Sequence, residues 1–172
     1  NLDNIIPTEY DMYFRKQLIH GHVHDPGAAM LGGVGGHAGV FSSANDLAVM
    51  MQMFLNWCEY GGKRYIADST VKDFIRCQYC GVDTVDNRRG LGFDKPVRDS
   101  SVGPTCNCVS YESFGHTGFT GTMAWADPDE DLVYIFLSNR VYPSASNRKL
   151  ITMDIRTRIQ QVIHDAVDAI DK

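Results

Sequence analysis

What the chain lacks narrows its role first. It has no run of lysine and arginine: 16 basic residues stand against 21 acidic ones, a formal net charge of −5. The positive footprint that a phosphate backbone requires is missing, so no nucleic-acid partner is expected. No apolar run approaches the roughly 18–20 residues that cross a bilayer. The densest, Leu132-Val133-Tyr134-Ile135-Phe136-Leu137, has the length of a strand, and no membrane span is expected. The chain opens on Asn1-Leu2-Asp3-Asn4, with neither Met nor a basic-then-apolar leader, so its natural start is expected upstream or removed. Cysteine is sparse and odd in number. With 5 (Cys58, Cys77, Cys80, Cys106, Cys108), one thiol stays free even in a fully oxidised monomer. Internal repeats and low-complexity segments are absent. What remains is 172 residues with 44% hydrophobic content, enough for the core of one domain or a piece of a larger one, and not the composition of a disordered chain.

Along the chain the pattern changes from helix to strand. Residues 1–80 read as mainly helical with loops, 81–113 as loop-rich, and 114–172 as a sheet followed by a helix, all within a single partial domain. Pro7-Thr8 ahead of Tyr10, Phe14 and Leu18, spaced i, i+4, i+8, predicts a helix over 8–19. A loop follows from Gly21 to Gly39. Ser43 and Asp46 form a capping-box pattern ahead of the Met-rich run Leu47 to Leu55, whose methionines read as core packing. Glu59-Tyr60-Gly61-Gly62-Lys63 is a turn, and Asp68-Ser69 is expected to cap a short helix carrying Val71, Phe74 and Ile75. Leu91-Gly92-Phe93 predicts a short strand. Phe114–Phe119, Thr122–Ala126 and Leu132–Ser138 are β-prone, with turn chemistry at Asp127–Asp131, which predicts an antiparallel meander. Ile151, Ile155, Ile159, Val162, Ile163, Ala166, Val167 and Ile170 share one face of a C-terminal helix, with Ser146 as its cap, and that face is expected to lie on the sheet. The fold class is α+β.

The strongest local signal for chemistry is Phe114-Gly115-His116-Thr117-Gly118-Phe119-Thr120-Gly121-Thr122. Glycine inside a strand marks close approach of a ligand or another backbone. His116 adds a titratable ring and Thr117 a hydroxyl beside accessible N–H groups, a combination suited to a carbonyl or carboxylate. The alternative is glycine for packing and a satisfied core histidine. Gly33-x-Gly35-x-x-Ala38 fits a relaxed dinucleotide pattern, but Phe41-Ser42-Ser43 separates it from the helix start, so no nucleotide is expected. His20, His22 and His24 would share a strand face and could hold a metal, yet Gly21, Asp25 and Pro26 interrupt a strand there, and surface histidines are the expectation. Cys77 and Cys80 with Cys106 and Cys108 leave zinc, disulfides and unpaired thiols open. Asp127, Asp129 and Asp131 fail as a calcium loop, because Leu132 and Ser138 stand where glycine and a bidentate Glu are needed. No cofactor is expected.

The order Gly-rich loop, Phe41-Ser42-Ser43-Ala44-Asn45-Asp46-Leu47-Ala48, Gly61-Gly62, Leu91-Gly92-Phe93, Phe114 to Gly121 and Asp127-Pro128 resembles the C-terminal half of the penicillin-recognising serine hydrolases, which include serine β-lactamases, DD-peptidases and related esterases. The resemblance is closest to domains appended to bacterial family 3 glycoside hydrolases of the β-N-acetylhexosaminidase kind. It implies the C-terminal part of the β-lactamase/DD-peptidase fold, an antiparallel sheet with a packed C-terminal helix and a helical segment. That family uses a Ser-x-x-Lys nucleophile, a Tyr-x-Asn or Ser-x-Asn element, and a Lys-Thr-Gly or His-Thr-Gly strand, and His116-Thr117-Gly118 matches the third. The resemblance implies catalytic roles for His116 and for the backbone N–H of Phe119 as an oxyanion-hole donor, fixed in advance where charge develops. It implies substrate contact by Thr117, Gly118 and His37, a loop role for His24-Asp25, and no metal.

No Tyr-x-Asn is present. Ser69-Thr70-Val71-Lys72 and Ser146-Asn147-Arg148-Lys149 match the nucleophile pattern by accident and read as cap or surface serines. The nucleophile is therefore expected in a missing N-terminal half, and this chain alone is expected to be catalytically incomplete. The implied substrate is an amide or ester near a carboxylate, such as a β-lactam or a peptidoglycan D-Ala-D-Ala terminus, and His at position 116 leaves esterase and peptidase activities equally open. The implied location is periplasmic or otherwise exported, which favours disulfides over zinc. Expected partners are the missing half, a small-molecule or peptidoglycan-type substrate, and further copies of the chain through open sheet edges and apolar faces. The rival reading is a non-catalytic cell-wall-binding or interaction module attached to a glycosidase.

Overall fold

A computed structural model describes residues 2–80, 88–97 and 103–170, so the loop-rich stretch 81–113 lies partly outside the described residues. The centre is a three-stranded antiparallel sheet in the order β5 (Phe114–Thr117), β6 (Met123–Asp127), β7 (Leu132–Phe136), the expected meander. Register pairs Phe114 with Ala126 and Trp125 with Tyr134. Because successive side chains point to opposite faces, β6 serves two cores at once. Phe114 and Ala126 join Met51, Leu55, Cys58, Val71 and Ile75 on one face, while Met123, Trp125 and Tyr134 cluster on the other with Ile163 packed against them. Asp127 is buried at the end of β6 and accepts from the Ser110 N–H at 2.7 Å and the Asp129 N–H at 3.2 Å, which makes the acidic run a hairpin turn.

The first face is covered by helix α2 (Ala44–Leu55). Ser43 starts it: its Oγ accepts from the Asp46 N–H at 3.1 Å and donates to Asp46 Oδ2 at 2.8 Å, so the predicted box closes side chain to side chain. Met51 and Leu55 are its buried contacts and Met53 packs against them, while Met50 is half-exposed, so the core reading of the methionines holds in part. A hairpin of β3 (Glu59–Tyr60) and β4 (Lys63–Arg64) follows, turning through Gly61 and Gly62 at φ 60° and 73°, the paired positive values of a two-residue turn. Helix α3 (Asp68–Ile75) buries Val71 and Ile75 but leaves Phe74 half-exposed. Its cap position is Ala67 rather than Asp68 or Ser69, and the Asp68 carboxylate instead takes the Ser69 N–H at 2.8 Å within the first turn.

The structure corrects several expectations. The predicted helix over 8–19 is a hairpin of β1 (Glu9–Asp11) and β2 (Gln17–Ile19), with Tyr10 opposite Leu18. The cause is Asp11. Its carboxylate accepts from the N–H groups of Tyr13 and Phe14 at 2.9 Å and of Arg15 at 3.0 Å, offering the backbone a local alternative to helical bonding. Leu91-Gly92-Phe93 is the turn between the bridged residues Arg89 and Asp94, not a strand. The loop between Gly21 and Gly39 contains a short helix, α1 (Pro26–Met30), capped by Asp25 with Pro26 at its start. The C-terminal helix is two pieces, α4 (Lys149–Thr152) and α5 (Ile155–Ile170), separated by Asp154 at φ 50°, and Ser146 caps neither. α5 meets the sheet through Ile163 and buries Gln160 and His164, while Ile159, Val162 and Ile170 are exposed. Its apolar residues cover more than one side, and the predicted face is largely the one turned outward.

Disulfides join Cys77 to Cys80 and Cys106 to Cys108, and Cys58 is a buried free thiol. Among the described residues the two pairs do not meet in one metal-holding group, which overturns the four-thiol zinc arrangement. His20 contacts the Ile5 carbonyl and His24 the Glu9 carboxylate, so the histidines do not converge either. No helix among the described residues is long and apolar enough to cross a membrane.

Candidate functional site

β5 is held between β6 and Asp94. Gly115 exchanges backbone bonds with Asp94, its N–H donating to the Asp94 carbonyl at 3.2 Å and its carbonyl accepting at 2.7 Å. A Cβ on Gly115 would collide with the Ala124 carbonyl and the Trp125 ring, so this glycine serves packing, as the alternative reading held. The strand then tightens into a turn: the Gly118 N–H donates to the Thr122 carbonyl at 2.8 Å and the Gly121 N–H to the Gly118 carbonyl at 2.9 Å, with Gly121 at φ +106°.

β5 ends at Thr117, and Phe119 lies in the turn that follows it, beyond the reach of strand alternation. No described residue accepts the Phe119 N–H.

His116 is not a core histidine: its side chain is 54% exposed. Nδ1 lies 2.7 Å from the Thr117 carbonyl and donates there, while Nε2 faces Arg89 Nη2 at 3.2 Å. Arg89 also pairs with Asp94 at 3.3 Å, so the edge of β5 carries a linked Asp94–Arg89–His116 set.

Thr117, Gly118 and Phe119 line one side of a cleft of about 480 Å³, and Arg140, Arg148 and Arg156 line it from the segment after β7 and from the helix ends. No Asp or Glu lines it, so the cleft concentrates positive potential within an acidic protein. The arginines are held differently. Arg140 is buried, donates to the carbonyls of Ala145 at 3.2 Å and Asn147 at 3.1 Å, and lies 4.5 Å under the exposed Phe119 ring. Arg156 donates to the Thr122 carbonyl at 3.0 Å, and burial lowers its pKa from the usual guanidinium value. The Arg148 side chain has no hydrogen-bond or ionic partner among the described residues. Fork-shaped, permanently charged donors of this kind match a carboxylate.

The structure thus brings Thr117, Gly118 and Phe119 together at the cleft and places His116 on the adjoining strand edge. His37 is not among the lining residues; its Nε2 pairs with Asp25 Oδ1 at 3.1 Å. Asp25 has its pKa lowered first by the Ala28 N–H and then by His37, which gives the His24-Asp25 step its structural task at the start of α1. The two accidental serines lack an activating base. Lys72 pairs with Asp68 at 3.1 Å rather than with Ser69, and Ser146 bonds Ser144 at 2.9 Å. Sequence reasoning missed Arg89, Arg140, Arg148 and Arg156. The available signal was the even spacing of the last three, eight residues apart, in an otherwise acidic chain.

The sequence model of the family described as Beta-lactamase matches residues 6–155. A relative from Salmonella gallinarum named "Putative D-alanyl-D-alanine carboxypeptidase" is 38% identical over 138 residues, covering 79% of this chain and 31% of its own length. Relatives of the same name from Salmonella newport and Salmonella heidelberg are 37% identical over 138 residues, with the same shares of 79% and 31%. The chain therefore spans about a third of the length of these curated relatives. A solved β-lactamase from Mycobacterium bovis is similar in structure, with a TM-score of 0.56 and 25% identity, over 76% of this chain and 46% of that one.

Proposed function

The chain belongs to the β-lactamase family, and from that premise we propose that it is the C-terminal part of a serine hydrolase that cleaves an amide or ester beside a free carboxylate through an acyl-enzyme. The observation that carries this reading is the arginine-lined cleft continuous with Thr117-Gly118-Phe119. A substrate carboxylate enters the cleft toward Arg148 and the Thr117 hydroxyl, which sets the neighbouring carbonyl near the Phe119 N–H, a donor with no acceptor among the described residues. That N–H is one donor for the oxyanion, available without reorganisation. With Nδ1 on the Thr117 carbonyl and Nε2 facing the Arg89 guanidinium, His116 tunes and orients the edge rather than protonating a leaving group. The nucleophilic serine and its base come from upstream residues.

A terminal D-Ala-D-Ala peptide has the required features, a scissile amide one residue from a carboxylate, and the relatives' name supports that class over a β-lactam. An exported, cell-wall setting follows from the same substrate. Motif order is the support for a glycosidase attached to the domain. His37, held by Asp25, does not line this cleft, and a part for it at the substrate site rests on the family resemblance alone.

The test is covalent labelling with a fluorescent penicillin and a fluorophosphonate, read by intact mass, on the 172-residue chain and on one extended upstream through a Ser-x-x-Lys. Label only on the extended chain, with release of D-alanine from a D-Ala-D-Ala peptide, is the expected result. Label at Ser69 or Ser146 would contradict the placement of the nucleophile. If neither chain labels, the domain is a non-catalytic cell-wall-binding module.

A further inference from the structure

α5 turns polar groups inward although apolar ones were available. Gln160 and His164, one turn apart, are 1% and 4% exposed, while Ile159 and Val162 on the same helix face outward. Gln160 Oε1 accepts the Cys106 N–H at 3.0 Å, but its Nε2 is buried with no partner. His164 also makes no hydrogen bond or ion pair among the described residues, although the fully buried unpaired atom of the two residues is Gln160 Nε2. A buried polar group left unpaired is costly and uncommon, and calls for a cause. Here the cause lies beside them: one ring nitrogen of His164 and the Sγ atoms of Cys106 and Cys108 all lie within 4.8 Å of one another.

Two sulfurs and an imidazole are a borderline-soft donor set, of the kind that selects zinc over magnesium or calcium. The Cys106–Cys108 bridge spans a sequence separation of only 2, so it restrains little of the unfolded chain and is poorly suited to stapling the fold. Tetrahedral zinc sets its donors roughly 3.5–3.8 Å apart. Sulfurs released from their bond reach that spacing by side-chain rotation, because His164 already lies within range.

We propose that the dithiol form of Cys106 and Cys108, together with His164, is a three-ligand Zn2+ site, and that the Cys106–Cys108 disulfide is its metal-free, oxidised state. Opening the bond takes two electrons and two protons from a dithiol reductant, which is itself oxidised to a disulfide. Zn2+ then displaces the two thiol protons to solvent and binds both thiolates and the neutral imidazole. Gln160, holding the Cys106 backbone, is a positioning residue. The Cys77–Cys80 pair has no third ligand of this kind among the described residues and serves as the internal control.

The experiment is a Co2+ titration, followed by Zn2+ competition, of the 172-residue chain reduced with a dithiol and freed of it under argon. One Co2+ per chain, with a near-ultraviolet thiolate charge-transfer band that Zn2+ abolishes, is expected for reduced protein and absent from oxidised protein. His164→Gln should weaken binding by at least about tenfold, and Cys108→Ser should remove the band, with circular dichroism confirming the fold. Cys77→Ser should leave it intact. No stoichiometric band on reduced protein, equal affinity in a folded His164→Gln variant, or loss of the band in Cys77→Ser overturns the site. If His164→Gln does not fold, the contrast between oxidised and reduced chains and the Cys77→Ser control still decide.

Discussion

Arg148 and Arg140 line the same cleft but are held in opposite ways, and the difference sets what each substitution should do. Arg140 is buried and committed to the Ala145 and Asn147 carbonyls, so its removal would disturb the segment it organises. Arg148 lines the cleft with no such commitment, which on the proposed function leaves it free to bind the substrate carboxylate. A hydrogen bond to a charged group is worth about 1.5–3 kcal/mol, or roughly a tenfold to hundredfold change in affinity. On the proposed function, Arg148→Ala in a chain extended upstream through the nucleophile should raise KM for a carboxylate-terminated peptide by that factor, with kcat little changed. The amidated analogue, lacking the charge, should show almost no difference between the two proteins. Steady-state kinetics on the pair of substrates checks it, and an equal loss on both would mean that Arg148 supports structure instead. At this scale His116-Thr117-Gly118 was legible as a candidate because three adjacent residues carry the signal, and of the three Thr117 and Gly118 line the cleft. The arginines were not, because the chain after β7 and the helix ends must fold before Arg140, Arg148 and Arg156 share one cleft.

Elements follow local chemistry more closely than apolar spacing. Ser43 announced α2, and the β-prone runs with Asp127–Asp131 between them announced the meander, since in both cases turn or cap residues agree with the hydrophobic pattern. The spacing of Tyr10, Phe14 and Leu18 misled because all three are substantially exposed and do not form a buried face. Asp11 decides that segment: its backbone hydrogen bonds, the largest from Phe14, together with the Arg15 guanidinium hold its carboxyl well below the ordinary value of 3.8. A carboxyl depressed in the folded state contributes stability above its unfolded pKa and loses that contribution as pH falls toward the folded value. Asp11→Asn should therefore lower the melting temperature of the folded domain at pH 7. As the pH drops below about 3.8 the two melting curves should converge. A gap that stays constant across that range, measured by thermal denaturation at successive pH values, would show that the Asp11 charge does not hold the hairpin.

At the scale of the whole molecule, two surfaces are left open together. β7 pairs only with β6 among the described residues, so its other edge carries unpaired backbone groups. Beside the sheet, α5 exposes Ile159, Val162 and Ile170. This second surface explains why the sequence pattern of α5 identified a helix yet misassigned its buried side: the apolar residues serve more neighbours than this chain supplies. On the proposed reading the neighbours are upstream parts of the same domain, in keeping with a chain that spans about a third of its relatives. Fully burying a Val or Ile side chain contributes about 1.5–3 kcal/mol, so the fractions these three still expose, 41%, 66% and 82%, supply roughly 3–6 kcal/mol gross. Association costs about 4–15 kcal/mol, which leaves weak, concentration-dependent self-association rather than a tight dimer. Sedimentation of the 172-residue chain should accordingly show oligomers growing with concentration, reduced by Val162→Lys and suppressed by adding the upstream half. Val162 is an exposed helix position, so the variant should keep its circular dichroism spectrum. A monodisperse monomer with a cooperative melt would mean that the open edge and the apolar stripe tolerate water, and that the domain does not need a second half to be stable.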